Sequence, residues 1–109
     1  YDGGVGGKCI RNSPLFETPG AQALTDAWLE LYACKTEAFI TFARGNAACL
    51  TYSTCLGVAE VSLCTVEGGG HTWPSGPQVL PERLVGATYT DMTNKQIWDF
   101  LSQFRLERR

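Results

Sequence analysis

The sequence predicts helices laid against a sheet, on three observations. Ala21, Leu24, Trp28 and Leu31 fall on one helical face, with Gln22, Asp26 and Glu30 elsewhere. An apolar strand from about Glu60 to Val66 runs into three glycines, and the C-terminal segment carries helix-start signals at Thr93. The chain has 109 residues, 44% of them hydrophobic, so a single core is feasible. A net charge of −2 leaves no basic patch for nucleic acid, and Arg105, Arg108 and Arg109 read as a solvated helix end. No apolar run is long enough to cross a membrane, and no signal-peptide pattern follows Tyr1, so any targeting segment is expected to lie upstream or not to exist.

Residues 1 to 20 are rich in glycine, with Pro14 and Pro19, which predicts a loop. A helix is expected to begin with Thr18 as N-cap and Pro19 in the first turn, where a missing N–H costs nothing. Its apolar face, with Ala27 beside it, is expected to pack on a sheet and Trp28 to anchor that contact. Phe39, Ile40 and Phe42 then precede a turn at Arg44-Gly45-Asn46 and a short strand over Cys49 to Tyr52. The strand ending at Val66 follows. From Pro74 to about Tyr89, prolines and glycines predict a loop with little regular structure that borders the histidine segment. In the last helix Thr93 and Gln96 have capping-box spacing, and Met92 and Ile97 that of a hydrophobic staple. Ile97, Phe100, Leu101 and Phe104 make one apolar face, Trp98 flanks it, and the arginines sit where positive charge complements the helix dipole.

The stretch with most chemical content is Val66-Glu67-Gly68-Gly69-Gly70-His71-Thr72-Trp73-Pro74-Ser75-Gly76, which holds the one histidine of the chain. Successive glycines allow positive φ and close backbone approach. An imidazole, with an ordinary pKa of about 6.5, can take and return a proton near neutrality. Two readings of His71 follow from the residues alone: a general base at the end of a strand, or a structural histidine in a glycine-rich turn. Trp73 likewise reads either as an apolar wall for a ligand or as a ring packed under its own loop.

The five cysteines, Cys9, Cys34, Cys49, Cys55 and Cys64, contain no Cys-x-x-Cys pair, so the spacing of a structural zinc site is missing and no metal is expected. Disulfides in an oxidising compartment fit better. With Cys9 set aside, the other four allow three connectivities.

Gly-Gly-Gly-His-Thr-Trp-Pro, preceded by Ala59 to Glu67 and followed by Ile97-Trp98-Asp99-Phe100, resembles the C-terminal third of a secreted esterase family. This family contains the polyhydroxybutyrate-depolymerase-like and feruloyl-esterase-like α/β-hydrolases. The likeness extends over most of the chain, since Tyr1-Asp2-Gly3-Gly4 resembles the segment after the family's acid-bearing loop and Ala27 to Cys34 a helix ending in cysteine. Ser75 stands where the family more often has glycine. The resemblance implies that residues 1–109 are the C-terminal part of a single α/β-hydrolase domain, with the last strands and helices of a mostly parallel sheet. It implies that His71 is the triad histidine and that Cys34 pairs with Cys55 and Cys49 with Cys64, while Trp73 stays open between a substrate contact and a ring packed under its own loop. The partner of Cys9 is then expected upstream, or Cys9 is a free or intermolecular thiol.

The chain order in α/β-hydrolases is serine, acid, histidine. No serine here lies in Gly-x-Ser-x-Gly, and Asp2 does not match the family's Gly-Thr-x-Asp loop, so nucleophile and acid are expected outside the chain. Asp91 and Asp99 read as helix-start and helix-surface carboxylates. The implied activity is hydrolysis of polyhydroxyalkanoate, feruloylated polysaccharide or small acyl esters by a secreted serine esterase without a cofactor, inactive in this piece alone. The rival reading is a non-catalytic, disulfide-stapled extracellular binding or structural module, in which His71 belongs to a turn.

Overall fold

The computed structural model of the chain describes residues 7–8, 17–18 and 20–106. The expectations that concern Tyr1, Asp2, Cys9, Pro19, Arg108 and Arg109 lie outside the described residues.

In chain order the elements are β1 (Gly7–Lys8), β2 (Glu17–Thr18), α1 (Ala21–Leu31), β3 (Phe39–Arg44), β4 (Ala47–Tyr52), β5 (Val61–Val66), α2 (Glu82–Val85) and α3 (Asn94–Leu101). β1 and β2 pair antiparallel, Gly7 opposite Thr18 and Lys8 opposite Glu17, inside the stretch predicted to be loop. β3, β4 and β5 form an antiparallel sheet in that order. This corrects the expectation of a mostly parallel sheet, and chain length is the reason. Gly45-Asn46 alone links β3 to β4, and only residues 53–60 link β4 to β5. Parallel neighbours need a crossover of about a dozen residues or more. Along β4 the burial alternates, Ala47, Cys49 and Thr51 being covered and Ala48 and Leu50 open, as a strand with one protected face requires.

The chain divides into two compact units. The first comprises Tyr1–Thr41 and Cys49–Leu63. Here α1 starts later than expected, with Gly20 as its N-cap residue, because Thr18 is committed to the β1–β2 ladder. The helix ends in a Schellman arrangement: the N–H of Ala33 donates to Glu30 O and that of Cys34 to Leu29 O, with Ala33 in the left-handed region at φ 47°. This termination delivers Cys34 to Cys55, with which it forms a disulfide, and Lys35 N–H to Thr54 O and Leu56 N–H to Tyr32 O flank the bridge. The apolar face of α1 is not packed as predicted. Leu24 and Leu31 are 55% and 64% exposed, Trp28 stacks on Tyr32 with both rings partly open, and the buried residue of the helix is Thr25. Thr25 can be buried because its hydroxyl donates to Ala21 O within the helix. The helix end is thus held by the disulfide and its flanking hydrogen bonds. A row of hydroxyls crosses the strands of this unit: Thr51 donates to Ser62, which leaves Thr41 to donate to Thr51. Cys49 and Cys64 are disulfide-bonded as well, so there are two disulfides among the described residues.

The second unit comprises Phe42–Ala48 and Cys64–Arg109. Its hairpin turn needs glycine at the first central position, where φ is +51° at Gly45. Both sides of Asn46 are engaged: its N–H donates to the Asp91 carboxylate at 3.2 Å and its carbonyl accepts from Glu67 N–H. Asp91 therefore caps the hairpin turn, which corrects its reading as a helix-start carboxylate. α3 begins as predicted. Thr93 N–H and hydroxyl both donate to Gln96 Oε1, Lys95 N–H donates to Thr93 Oγ1, and Met92 ahead of the cap is buried. The helix stops at Leu101, short of Phe104, which folds back edge-on against Phe100. Its face is only half covered, Ile97 and Phe100 being partly buried and Trp98 and Leu101 open. Asp99 lies on the helix surface as predicted, paired with Lys95.

Candidate active site

All of the candidate site lies in the second unit. β5 ends at Val66, and a turn closed by Gly69 N–H to Val66 O follows, with Gly68 at φ +74°. A side chain at Gly68 would meet the Tyr89 hydroxyl. Past the turn the chain runs along residues 85–87: Gly70 N–H donates to Ala87 O, His71 N–H to Val85 O, and the Thr72 hydroxyl to Ala87 O. The approach is possible only because both strands of this contact have a glycine at the crossing. A Cβ on Gly70 would lie 2.6 Å from Gly86 Cα, and Gly86 itself sits at φ +84°.

Further along the loop, Ser75 N–H donates to Tyr89 O at 2.8 Å and its hydroxyl to Met92 O at 2.7 Å. Ser75 takes φ +61°, a conformation that glycine adopts without steric penalty. The hydroxyl bond to Met92 O offsets the cost of this left-handed conformation. Trp73 is 60% exposed, so it is not packed under its loop, and its indole N–H donates to Asn94 Oδ1 at 2.6 Å. The ring is open and oriented at once. Segments 70–76 and 85–94 are therefore joined by six hydrogen bonds, while the side chain of His71 stays exposed.

Below the loop is a cleft of about 190 Å³ lined by Val66, Gly69, Gly70, Thr72, Pro74, Ala87 and Tyr89. His71 stands between two of these lining residues without being one. The described serines of this unit are occupied, Ser75 as above and Ser102 with Asp99 O. Among the described residues no group of three His, Cys, Asp or Glu side chains could hold a metal ion. Nor is any described helix long and apolar enough to cross a membrane. The arrangement holds His71, an exposed residue, on a main chain fixed by hydrogen bonds.

Sequence reasoning placed His71 and Trp73 on one loop and missed three residues that hold it. Gly86 reads as one loop glycine among others, and neither Asn94 nor Gln78 stands out in the sequence. Yet Gln78 makes four hydrogen bonds, its Nε2 donating to Leu80 O and Gly86 O and its Oε1 accepting from Thr88 N–H and Oγ1. The predicted loop from Pro74 to Tyr89 is thus irregular, apart from the single turn of α2, but firmly bonded.

No family profile and no solved structure matches the chain. It is 28% identical over 106 residues to the feruloyl esterase B of Piromyces equi, a match that covers 97% of this chain. The chain spans only 16% of the length of that relative.

Proposed function

We propose that this chain supplies the histidine general base of a secreted carboxylic-ester hydrolase of α/β-hydrolase type. In this reading the serine nucleophile and the acid belong to a part of the domain outside these residues. His71 takes the proton of the serine hydroxyl as its oxygen attacks the ester carbonyl, and returns it to the leaving alcohol. An acid residue fixes the tautomer and stabilises the imidazolium. The observation that carries the reading is the Gly70–Gly86 crossing, which fixes the main chain at His71 and leaves its ring exposed. The partial likeness to a protein named feruloyl esterase B supports ester chemistry. The open apolar face of α1, at Leu24, Trp28 and Leu31, supports a larger domain that covers it. Two disulfides support an oxidising, extracellular compartment. Trp73 offers the substrate an oriented apolar wall. The proposed substrates are polyhydroxyalkanoate, feruloylated polysaccharide or small acyl esters.

The test has two parts. The coding frame upstream of Tyr1 should contain Gly-x-Ser-x-Gly and then Gly-Thr-x-Asp. In the protein so completed, His71→Ala should lower ester hydrolysis by at least about a thousandfold with the fold intact. The 109-residue chain alone should show no hydrolysis above its own His71→Ala control. Unchanged turnover in the completed His71→Ala enzyme would sink the assignment.

One observation favours the rival module: Cys34, Cys49, Cys55 and Cys64 are all disulfide-bonded. Cooperative unfolding of the isolated chain, together with no nucleophile motif upstream, is the outcome that selects it.

A further inference from the structure

We infer that Gln78 is the positioning residue for His71, an inference that rests on the proposed role of His71 as general base. The side-chain amide of Gln78 has two N–H donors and an oxygen with two acceptor sites, and all four are used. One donor goes to Leu80 O at 2.7 Å and closes the loop that carries Gln78. The other three bonds grip a single short segment at both ends: Nε2 donates to Gly86 O at 3.1 Å, and Oε1 accepts from Thr88 N–H at 3.0 Å and from Thr88 Oγ1 at 2.8 Å.

Between those two residues lies Ala87, whose carbonyl accepts from Gly70 N–H and from the Thr72 hydroxyl, and before them Val85, whose carbonyl accepts from His71 N–H. Val85, the last residue of α2, and residues 86–88 after it thus form a ribbon with Gln78 on one edge and the His71 loop on the other. From Gly86 on, this ribbon runs outside any helix or strand. Main-chain bonds from Gly70 and His71 hold one edge, and the side-chain bonds of Gln78 hold the other. Gln78 therefore acts on His71 through two intermediaries, the ribbon and the crossing of Gly70 with Gly86, and touches no reacting group itself.

The two variants that separate this role from general stability are Gln78→Ala and Gln78→Glu. The first removes all four bonds; the second keeps the acceptor for Thr88 and loses both donations. In the 109-residue chain, amide hydrogen exchange followed by NMR should show Gly70 and His71 exchanging about tenfold faster or more in Gln78→Ala. The His71 ring resonances should move with them. Gln78→Glu should fall between wild type and Gln78→Ala, and the amides of α3 and of Glu67 should exchange as in the wild type. Unchanged protection at Gly70 and His71 overturns the inference, and so does a uniform loss across α3, which would report general loosening. If Gln78→Ala does not fold, the same comparison in Gln78→Glu decides. Exchange is read without substrate, so failure of the ester-hydrolase reading alone would show as no hydrolysis by the completed protein while the exchange differences between the variants persist.

Discussion

Gly70 and Gly86 cross main chain on main chain, so that a Cβ built on Gly86 would lie 2.7 Å from Gly70 Cα. Backbone atoms cannot step aside as a flexible side chain can, so the crossing admits only glycine on both sides. It is this contact, rather than the run of three glycines as such, that determines where His71 leaves the loop.

Gly86→Ala adds a methyl to that crossing at a left-handed residue and should cost at least about 2 kcal/mol. Gly57→Ala is the control, because Gly57 has φ +59° and nothing within 4 Å of its Cβ position. There only the conformational penalty of about 1 kcal/mol applies. Urea-unfolding midpoints at constant slope measure both. Equal shifts for the two variants would remove the packing argument.

Gly45→Ala meets the Asp91 carboxylate and also sits at φ +51°. Asp91→Ala by itself frees the Asn46 N–H and should cost about 1–2 kcal/mol. Because the added methyl and the carboxylate compete for one space, the double variant should be less destabilised than the sum, by roughly 0.5 kcal/mol or more. Strict additivity in the mutant cycle would show that the two do not interact.

At the end of α1, Ala33 occupies the position where a Schellman motif favours glycine. Ala33→Gly should raise stability by up to about 1 kcal/mol, the steric relief exceeding the extra freedom of the unfolded chain. A lowered thermal midpoint with the Cys34–Cys55 bridge intact contradicts this.

Asn94→Ala removes the acceptor of the Trp73 indole N–H. The ring should then become mobile and more accessible to acrylamide, while Asn94→Asp, which keeps an acceptor, should resemble the wild type. Thr93→Ala tests the helix start separately. It should cost about 1 kcal/mol through the lost cap, with Trp73 quenching little altered.

The parts legible in the sequence were those encoded within a few residues. Thr93 and Gln96 form their capping box because both partners lie in one helical turn, and β5 ends at Val66 because glycines follow the strand at once. The turn at Gly45-Asn46 was readable for the same reason, as was the delivery of His71 from a strand end. The direction of the sheet was not, since the parallel arrangement came from resemblance while the short links of residues 45–46 and 53–60 impose an antiparallel one. The apolar stripe of α1 was read correctly as a pattern and wrongly as a contact. Periodicity states which side chains share a face, whereas exposure depends on what stands opposite.

The sequence by itself determined the capping-box start of α3, the strand that carries the histidine, and the presence of His71, Trp73 and Ser75 on one loop. The tertiary structure decided what holds that loop: Gln78 with Gly86 and Thr88, Gly70 with Gly86, Trp73 with Asn94, and Asn46 with Asp91. The reason is physical. A cap or a turn is a bond between neighbours and leaves a mark in residue type and spacing, but these bonds join residues from 8 to 45 positions apart. They form only when folding has brought two distant stretches of main chain to hydrogen-bonding range.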